Sequence, residues 1–392
     1  MRNEFKGTDW QEYIDETLQQ LEDQVVLRRR GGLSLALPLS PGVVLDFGSN
    51  DYLGLRSHPA VLRAAMNAVV TENCWGASSS PVLRGYGPFH SRLERAIADF
   101  EHTEDSLVFS SGYACNVGVI SALVGPQDAI FSDELNHASL IDGCRLSRAT
   151  KFVYQHGSLV DLENLLSQHR WSFERAIILT ESVFSMDGDC APMQQILQLA
   201  TEWGCGVVVD EAHATGVLGA DGAGLCDSPS DHPSLLCKLG TLSKALGGIG
   251  GFVAGGSKLI EFLVNQCRSY MFSTAIPVPV AAAATQAVYE ARKMSAERSW
   301  LHNHSSQLRC WLNEQGWRVP SGTSPIIPIV IGDGKKTLEI SQSLLEQGVY
   351  VPAIRPPTVP EGTSRLRVSL TVNHTSDCFE RLKSALSKMK SK

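Results

Sequence analysis

Closely spaced cysteines are missing from this chain. Its ten cysteines come no nearer to one another than Cys226 and Cys237, which excludes the C-x-x-C signatures of common zinc and redox sites. Reduced, mostly buried thiols in a cytoplasm are expected instead. A basic excess is missing too: 34 Lys and Arg stand against 41 Asp and Glu, a net charge of −7. Neither nucleic acid nor a membrane surface is therefore an expected partner, and the one basic cluster, Arg28 to Arg30, reads as a solvated face. No apolar run reaches the length of about 18 residues that a membrane helix needs. The nearest, "AIPVPVAAAATQAV", is broken by Pro277 and Pro279. The opening "MRNEFKGTDWQEY" lacks the apolar segment of a secretory signal.

Several enzyme signatures are absent as well. G-x-S-x-G, the serine hydrolase elbow, occurs nowhere. "GGIGGFVAGG" puts Val253 where a dinucleotide-binding loop needs its last glycine, and "GDGKKT" lacks the upstream glycine of a phosphate loop. "HNH" at 302–304 sits in a polar helical stretch and makes a poor metal site, so no metal is expected.

What the chain does have is alternation. From about residue 90, helical segments separate seven short apolar runs: "SLVFS", "DAIFSD", "KFVYQ", "AIILTES", "GVVVDEA", "CKLGTLS" and "GGFVAGG". This is the pattern of an α/β fold with a mainly parallel sheet covered on both faces. Ahead of it, residues 9–32 read as a helix stopping at Gly31-Gly32, followed by a short strand in "GVVLDFGS". Beyond about 290 come one long helix, "VYEARKMSAERSWLHNHSSQLRCWLNEQG", and then "PIIPIVIG", "GVYVPAI" and "SRLRVSL" between further helices. The expected division is an N-terminal segment 1–45, a large α/β domain 46–290 and a smaller α+β domain 291–392.

Strand ends are where open α/β sheets gather ligands, and here they are polar. "GVVVDEAHATG" runs three valines into Asp210, with His213 just beyond. A carboxylate there needs a cation or a strong donor, unless it serves as a helix cap. In "FSSGYACNVGVISALV", Ser110, Ser111 and Gly112 precede a helix whose free N–H groups suit a phosphate, or an ordinary serine cap. "SDELNHASLIDG" places His137, and "TESVFSMDGD" places Glu181 and Ser185, after two further strands. Arg365 and Arg367 of "SRLRVSL" share one face of a strand, and one or both suit a carboxylate. Lys244 in "GTLSKALGGIGG" stands among small residues with no acid nearby, either a loop lysine or a buried amine at a working site. Pyridoxal phosphate calls for this whole set: a lysine for its Schiff base, an acid for its pyridine nitrogen and an anion site for its phosphate.

Seven stretches carry a resemblance: "SNDYLGL", "HASLIDG", "TESVFSMDGD", "VVVDEAHATGVLG", "TLSKALG", "FSTAIP" and "IRPPTVPEGTSRLR". The chain resembles, almost end to end, the α-oxoamine synthases, fold-type I pyridoxal-phosphate enzymes with a seven-stranded large domain. That likeness implies a Schiff base on Lys244, Asp210 at the pyridine nitrogen, His213 at the ring hydroxyl and His137 stacked on the ring. It places Gly112, Tyr113 and Thr241 around the phosphate and Ser185 against the cofactor. Ser273 and Thr274 would reach the phosphate of a second subunit, which implies a homodimer. Asn50 and Arg367 would meet the amino-acid carboxylate, and Arg28 and Thr358 the acyl substrate.

The implied reaction is a decarboxylative condensation of a small amino acid with an acyl thioester. The "IRPPTVPEGTSRLR" form favours L-alanine and a pimeloyl thioester on coenzyme A or an acyl carrier protein. Glycine- and serine-using members of the family, and a catalytically silent cofactor-binding homologue, are the alternatives. Ser79, Ser80 and Tyr113 depart from the family's usual residues at positions that bear on acyl chain length. The small residues around Lys244 are expected to give a cofactor ring room to approach.

Overall fold

All seven apolar runs become strands of one sheet. The computed structural model describes residues 9–28, 44–226 and 232–390. After a two-residue strand β1 (Leu45–Asp46) come β2 (Asp105–Phe109), β3 (Ala129–Asp133), β4 (Thr150–Tyr154), β5 (Ala176–Glu181), β6 (Gly206–Asp210), β7 (Leu235–Thr241) and β8 (Gly251–Gly255). Their order in the sheet is β2-β8-β7-β6-β5-β3-β4. β3 to β7 run parallel, whereas β8 is antiparallel to both of its neighbours. The reversal follows from chain length. Residues 242–250 suffice for a hairpin between β7 and β8, while a parallel crossover needs a dozen or more. Lys244 lies in that hairpin.

Alternation along the strands fills both faces. Val208 joins Ile120, Leu140 and Cys237 beneath the helices Gly112–Leu123 and Ala138–Ser147. Val207 and Val209 point the other way, to Phe131 and Ile178 under the helices Leu159–His169 and Met193–Glu202.

A second sheet, of three antiparallel strands in the order β11-β12-β9, is built from β9 (Ile326–Gly332), β11 (Ala353–Ile354) and β12 (Ser364–Ser369). The short β10 (Val349–Tyr350) pairs in parallel with β1, so the first strand is held by the last quarter of the chain. One apolar cluster spans position 290, with Leu93, Ile97 and Val288 on one side and Leu301, Ile327 and Leu366 on the other. Each such fully buried side chain contributes about 1.5–3 kcal/mol, which locks β12 to the large sheet's surroundings.

Two expectations need correction. The first helix runs only over Trp10–Asp23 and is followed by Val25 at φ 60°. Residues 29–32 of the expected helix, with Arg29 and Arg30, lie outside the described residues. The long helix after 288 is two, Val278–Lys293 and Ser295–Glu314, broken at Met294. Periodicity continues across the break because both halves bury a face, but against different partners. The first packs on the helices Pro59–Glu72 and Pro88–Glu101, the second on β9. Arg298 Nη1 donates to Ala291 O at 2.7 Å, beside the Met294 N–H at 3.2 Å, and so ties the second helix to the last turn of the first. Among the described residues no helix is long and apolar enough to cross a membrane.

Candidate active site

Glu181 and Asp210 end adjacent parallel strands and are register partners. Two buried carboxylates side by side are costly unless donors meet them. Asp210 is met: Asn116 Nδ2 donates to Oδ2 at 2.7 Å and the Ala212 N–H to Oδ1 at 2.9 Å. No helix starts here, so the carboxylate is not a helix cap. Asn116 also donates to Ser139 Oγ at 2.9 Å, and that hydroxyl lies 2.7 Å from His137 Nδ1. A chain of hydrogen bonds thus joins His137, at the start of the helix Ala138–Ser147, to the end of β6. Glu181 differs, because its Oε1 is buried with no partner. Burial, and then the Asp210 charge, push its carboxyl well above the usual range.

Lys244 is half-buried in the β7–β8 hairpin, and none of the described residues hydrogen-bonds its amine. Burial pushes its pKa down to about 8, against the upward pull of Asp210 and Glu181 and with a further push from Arg367. His213 is buried, with Nδ1 2.8 Å from the Tyr52 hydroxyl. Burial, then the charges of Lys244 and Arg367, hold this imidazole neutral.

β12 supplies the two arginines, and the structure separates their roles. Arg365 pairs with Asp187 and reaches Met186 O at 3.3 Å. Arg367 donates from Nε to Ser185 O at 2.6 Å, and from Nη1 to Asn50 Oδ1 at 3.0 Å and Ser369 Oγ at 2.7 Å. Its Nη2 is buried without a partner. A buried guanidinium nitrogen with nothing to donate to marks a place for an anion. Asn50 and Arg367, expected together at a carboxylate, are in contact.

The helix Gly112–Leu123 begins against the ends of β7 and β8. Its cap is Ser111, whose Oγ accepts from Ala114 N at 3.1 Å. A Cβ on Gly112 would lie 3.4 Å from Thr241 Oγ1, and one on Gly251 only 2.5 Å from Gly112 Cα. Glycine at 251 is therefore what lets the helix start come this close. The first helical amides, Gly112 and Tyr113, have no carbonyl to pair with in the helix and suit an anion beside Thr241. The Tyr113 ring is exposed and its hydroxyl donates to Asp142, which leaves the backbone N–H for that purpose.

Arg28 Nη2 donates to Thr358 Oγ1 at 2.8 Å, so those two expected substrate residues also meet. A cleft of about 720 Å³ runs from His137 and Ser185 past Pro357 to this pair. Ser273 and Thr274 sit on the loop before the helix Val278–Lys293, and no hydrogen bond ties them to the Lys244 group. The neighbouring Ala275 N donates to Ser79 O at 3.0 Å, so the "SSS" stretch lies against this loop.

Sequence reasoning missed Tyr52, Asn116 and Ser139. Asn116 had a readable signal: it is the one amide in the otherwise apolar "YACNVGVISALV". Tyr52 gave none, since an aromatic residue in "SNDYLGL" reads equally as core.

The residues fit pyridoxal phosphate on observations of this chain alone. Arg367 Nη2 lacks a partner, the Lys244 amine leans toward neutrality, and the open helix start faces Thr241. Among the described residues no group of three His, Cys, Asp or Glu could hold a metal ion. Residues 43–386 match the family model "Aminotransferase class I and II". The 8-amino-7-oxononanoate synthase 2 of Bacillus subtilis strain 168 is 45% identical over 336 residues, 86% of this chain and 85% of that protein. Among solved structures, the serine palmitoyltransferase of Sphingomonas wittichii superposes with a TM-score of 0.90 at 30% identity, covering 97% of this chain and 98% of that one. The 8-amino-7-oxononanoate synthase of Francisella tularensis gives 0.75 at 26% identity, over 89% and 97%. This chain belongs to the aminotransferase class I and II family and, within it, to the pyridoxal-phosphate-dependent α-oxoamine synthases.

Proposed function

We propose that this enzyme condenses L-alanine with a pimeloyl thioester, releasing carbon dioxide and the free thiol carrier and giving 8-amino-7-oxononanoate for biotin synthesis. The observation that carries the reading is the unpartnered Nη2 of Arg367, whose Nε is held by the carbonyl of Ser185, a residue lining the cleft that reaches Arg28 and Thr358. The 45% identity to a named 8-amino-7-oxononanoate synthase supports the choice of substrates.

Lys244 would hold the cofactor covalently at rest, and its amine would be free once the substrate amine takes its place. When bound, the cofactor supplies an electron sink for the negative charge that develops on the amino-acid Cα. Asp210, fixed by Asn116 and the Ala212 N–H, keeps the pyridine nitrogen protonated. His213, held neutral and oriented by Tyr52, meets the ring hydroxyl. His137 covers the ring face, its own ring set by Ser139. The amides of Gly112 and Tyr113 take the phosphate with Thr241. Arg367 clamps the alanine carboxylate through Nη2 while Asn50 and Ser185 O hold its other nitrogens. That clamp would hold the amino acid in one orientation at the site, a positioning effect. The Lys244 amine, its pKa lowered by burial, takes the Cα proton and later returns one. Arg28 and Thr358 bind the acyl donor in the cleft.

The working unit is a homodimer in which Ser273 and Thr274 contact the other subunit's phosphate. Exposed Leu62, Met66, Trp75, Leu83 and Phe272 supply an apolar surface for that pairing. Reduced, buried cysteines such as Cys115, Cys144 and Cys237 fit a reducing cytoplasm. Serine palmitoyltransferase chemistry is the second reading, favoured by the TM-score of 0.90. Product analysis decides: 8-amino-7-oxononanoate is expected from alanine with pimeloyl-coenzyme A or pimeloyl-acyl carrier protein. Turnover of serine or glycine, with none of alanine, would overturn the reading.

A further inference from the structure

His156 follows β4 and lies outside the set of residues that meet substrate or cofactor, yet its ring is bonded at both ends. Nδ1 is 3.0 Å from Asp133 Oδ1 and Nε2 is 2.8 Å from Asp189 Oδ2. The imidazole is largely buried, edge-on to Phe184 at 4.3 Å. Burial alone would push its pKa down, but the two carboxylates outweigh that and raise it to about 10. Both ring nitrogens therefore donate, and the ring is a charged bridge between two acids.

The two acids belong to the two loops that build the amino-acid end of the site. Asp133 ends β3, and its Oδ1 accepts from Leu135 N at 2.9 Å and its Oδ2 from Gly157 N at 3.0 Å. This sets the turn that leads to His137. His156 reinforces the turn from its backbone, donating to Glu134 Oε1 at 2.9 Å. Asp189 closes the loop 184–189, where Phe184 N donates to Asp189 O at 3.1 Å. On that same loop the Ser185 carbonyl holds Arg367 Nε, and Asp187 holds Arg365.

We propose that His156 is a positioning residue for amino-acid binding, fixing the loop that bears His137 against the loop that aims Arg367. The inference rests on the reading of Arg367 as the alanine carboxylate clamp. Loss of the bridge leaves Lys244, Asp210 and Thr241 untouched, since none of them is bonded to either loop through His156. Its effect therefore falls first on alanine and on the His137 and Ser185 end of the cleft, and spares covalent attachment of the cofactor at Lys244.

The test uses the holoenzyme of His156→Gln, of Asp189→Asn and of the double variant, titrated with L-alanine while visible absorbance is followed. The alanine dissociation constant is expected to rise about tenfold in each single variant, as for a misplaced clamp. The double variant should be no worse than either single, because both remove one interaction. The resting cofactor absorbance should stay within about twofold of wild type, the span of ordinary context effects. Hydrogen exchange in the cofactor-free protein gives a second readout: amides of 133–137 and 184–190 should accelerate together in His156→Gln. Unchanged alanine affinity, loss of the resting cofactor absorbance, additive losses in the double variant, or faster exchange confined to 155–157 would each overturn the proposal. Should His156→Gln fail to fold, Asp189→Asn, at the more exposed end, carries the same comparison. A wild-type enzyme that ignores alanine would instead count against the substrate reading.

Discussion

Two lysines of the β7–β8 hairpin contrast an amine held by a carboxylate with the one proposed to react. Lys238, within β7, is fully buried and stands 2.7 Å from Glu101 Oε2, and it donates to Ala223 O at 2.6 Å. Burial would push its pKa down, but the Glu101 and Glu211 carboxylates outweigh that and keep it charged. Lys244, past the end of the strand, has acids near enough to feel yet none in hydrogen-bond contact, and burial wins. Burial alone does not make a lysine a nucleophile. What matters is whether a carboxylate is held against it.

The sharpest way to break this comparison is Lys244→Ala. Turnover should fall by about 10³-fold or more, as expected for losing a covalent anchor and a proton carrier, and the visible absorbance of the holoenzyme should vanish. Lys238→Ala should do the reverse. Denaturant unfolding should show a loss of about 3–5 kcal/mol, the cost of stranding a buried Glu101, while the folded fraction keeps its absorbance. A stable Lys238→Ala protein without absorbance would erase the distinction.

Arg365 and Arg367 repeat the contrast on a smaller scale. Arg367→Gln should raise the KM for alanine about 10- to 100-fold, matching a charged hydrogen bond of about 1.5–3 kcal/mol, whereas Arg365→Gln should act mainly on thermal stability. The smallest effect is one of pH. Lys244 titrates near 8 when folded, below its ordinary 10.5. Between these values the unfolded chain binds more protons, so the cost of charging this amine is fully present below about pH 8 and fades as pH rises toward 10.5. The rate at which cofactor-free protein takes up pyridoxal phosphate should climb through about pH 8. A midpoint near 10.5 would show that the amine is not desolvated.

Strand positions were readable because the runs are short and apolar and several end in a polar residue such as Glu181 or Asp210. Helix limits were not. The break at Met294 depends on where each half finds a partner, and periodicity is blind to that. The glycines after Lys244 have a further duty that local composition does not reveal. Gly247 adopts φ +67° against the backbone of Arg56, and Gly251 makes way for Gly112, so their small size serves the hairpin and the helix start. Lys244, Asp210, His213 and Arg367 stood out as polar residues at strand ends or on a strand. Asn116, Tyr52 and His156 act through other side chains. Their importance lies in distances that no local pattern encodes.

The most direct test is borohydride reduction of the holoenzyme followed by peptide mass spectrometry. The account predicts the reduced cofactor on Lys244 and none on Lys238. A modification on Lys238, or on neither lysine of the hairpin, would contradict it.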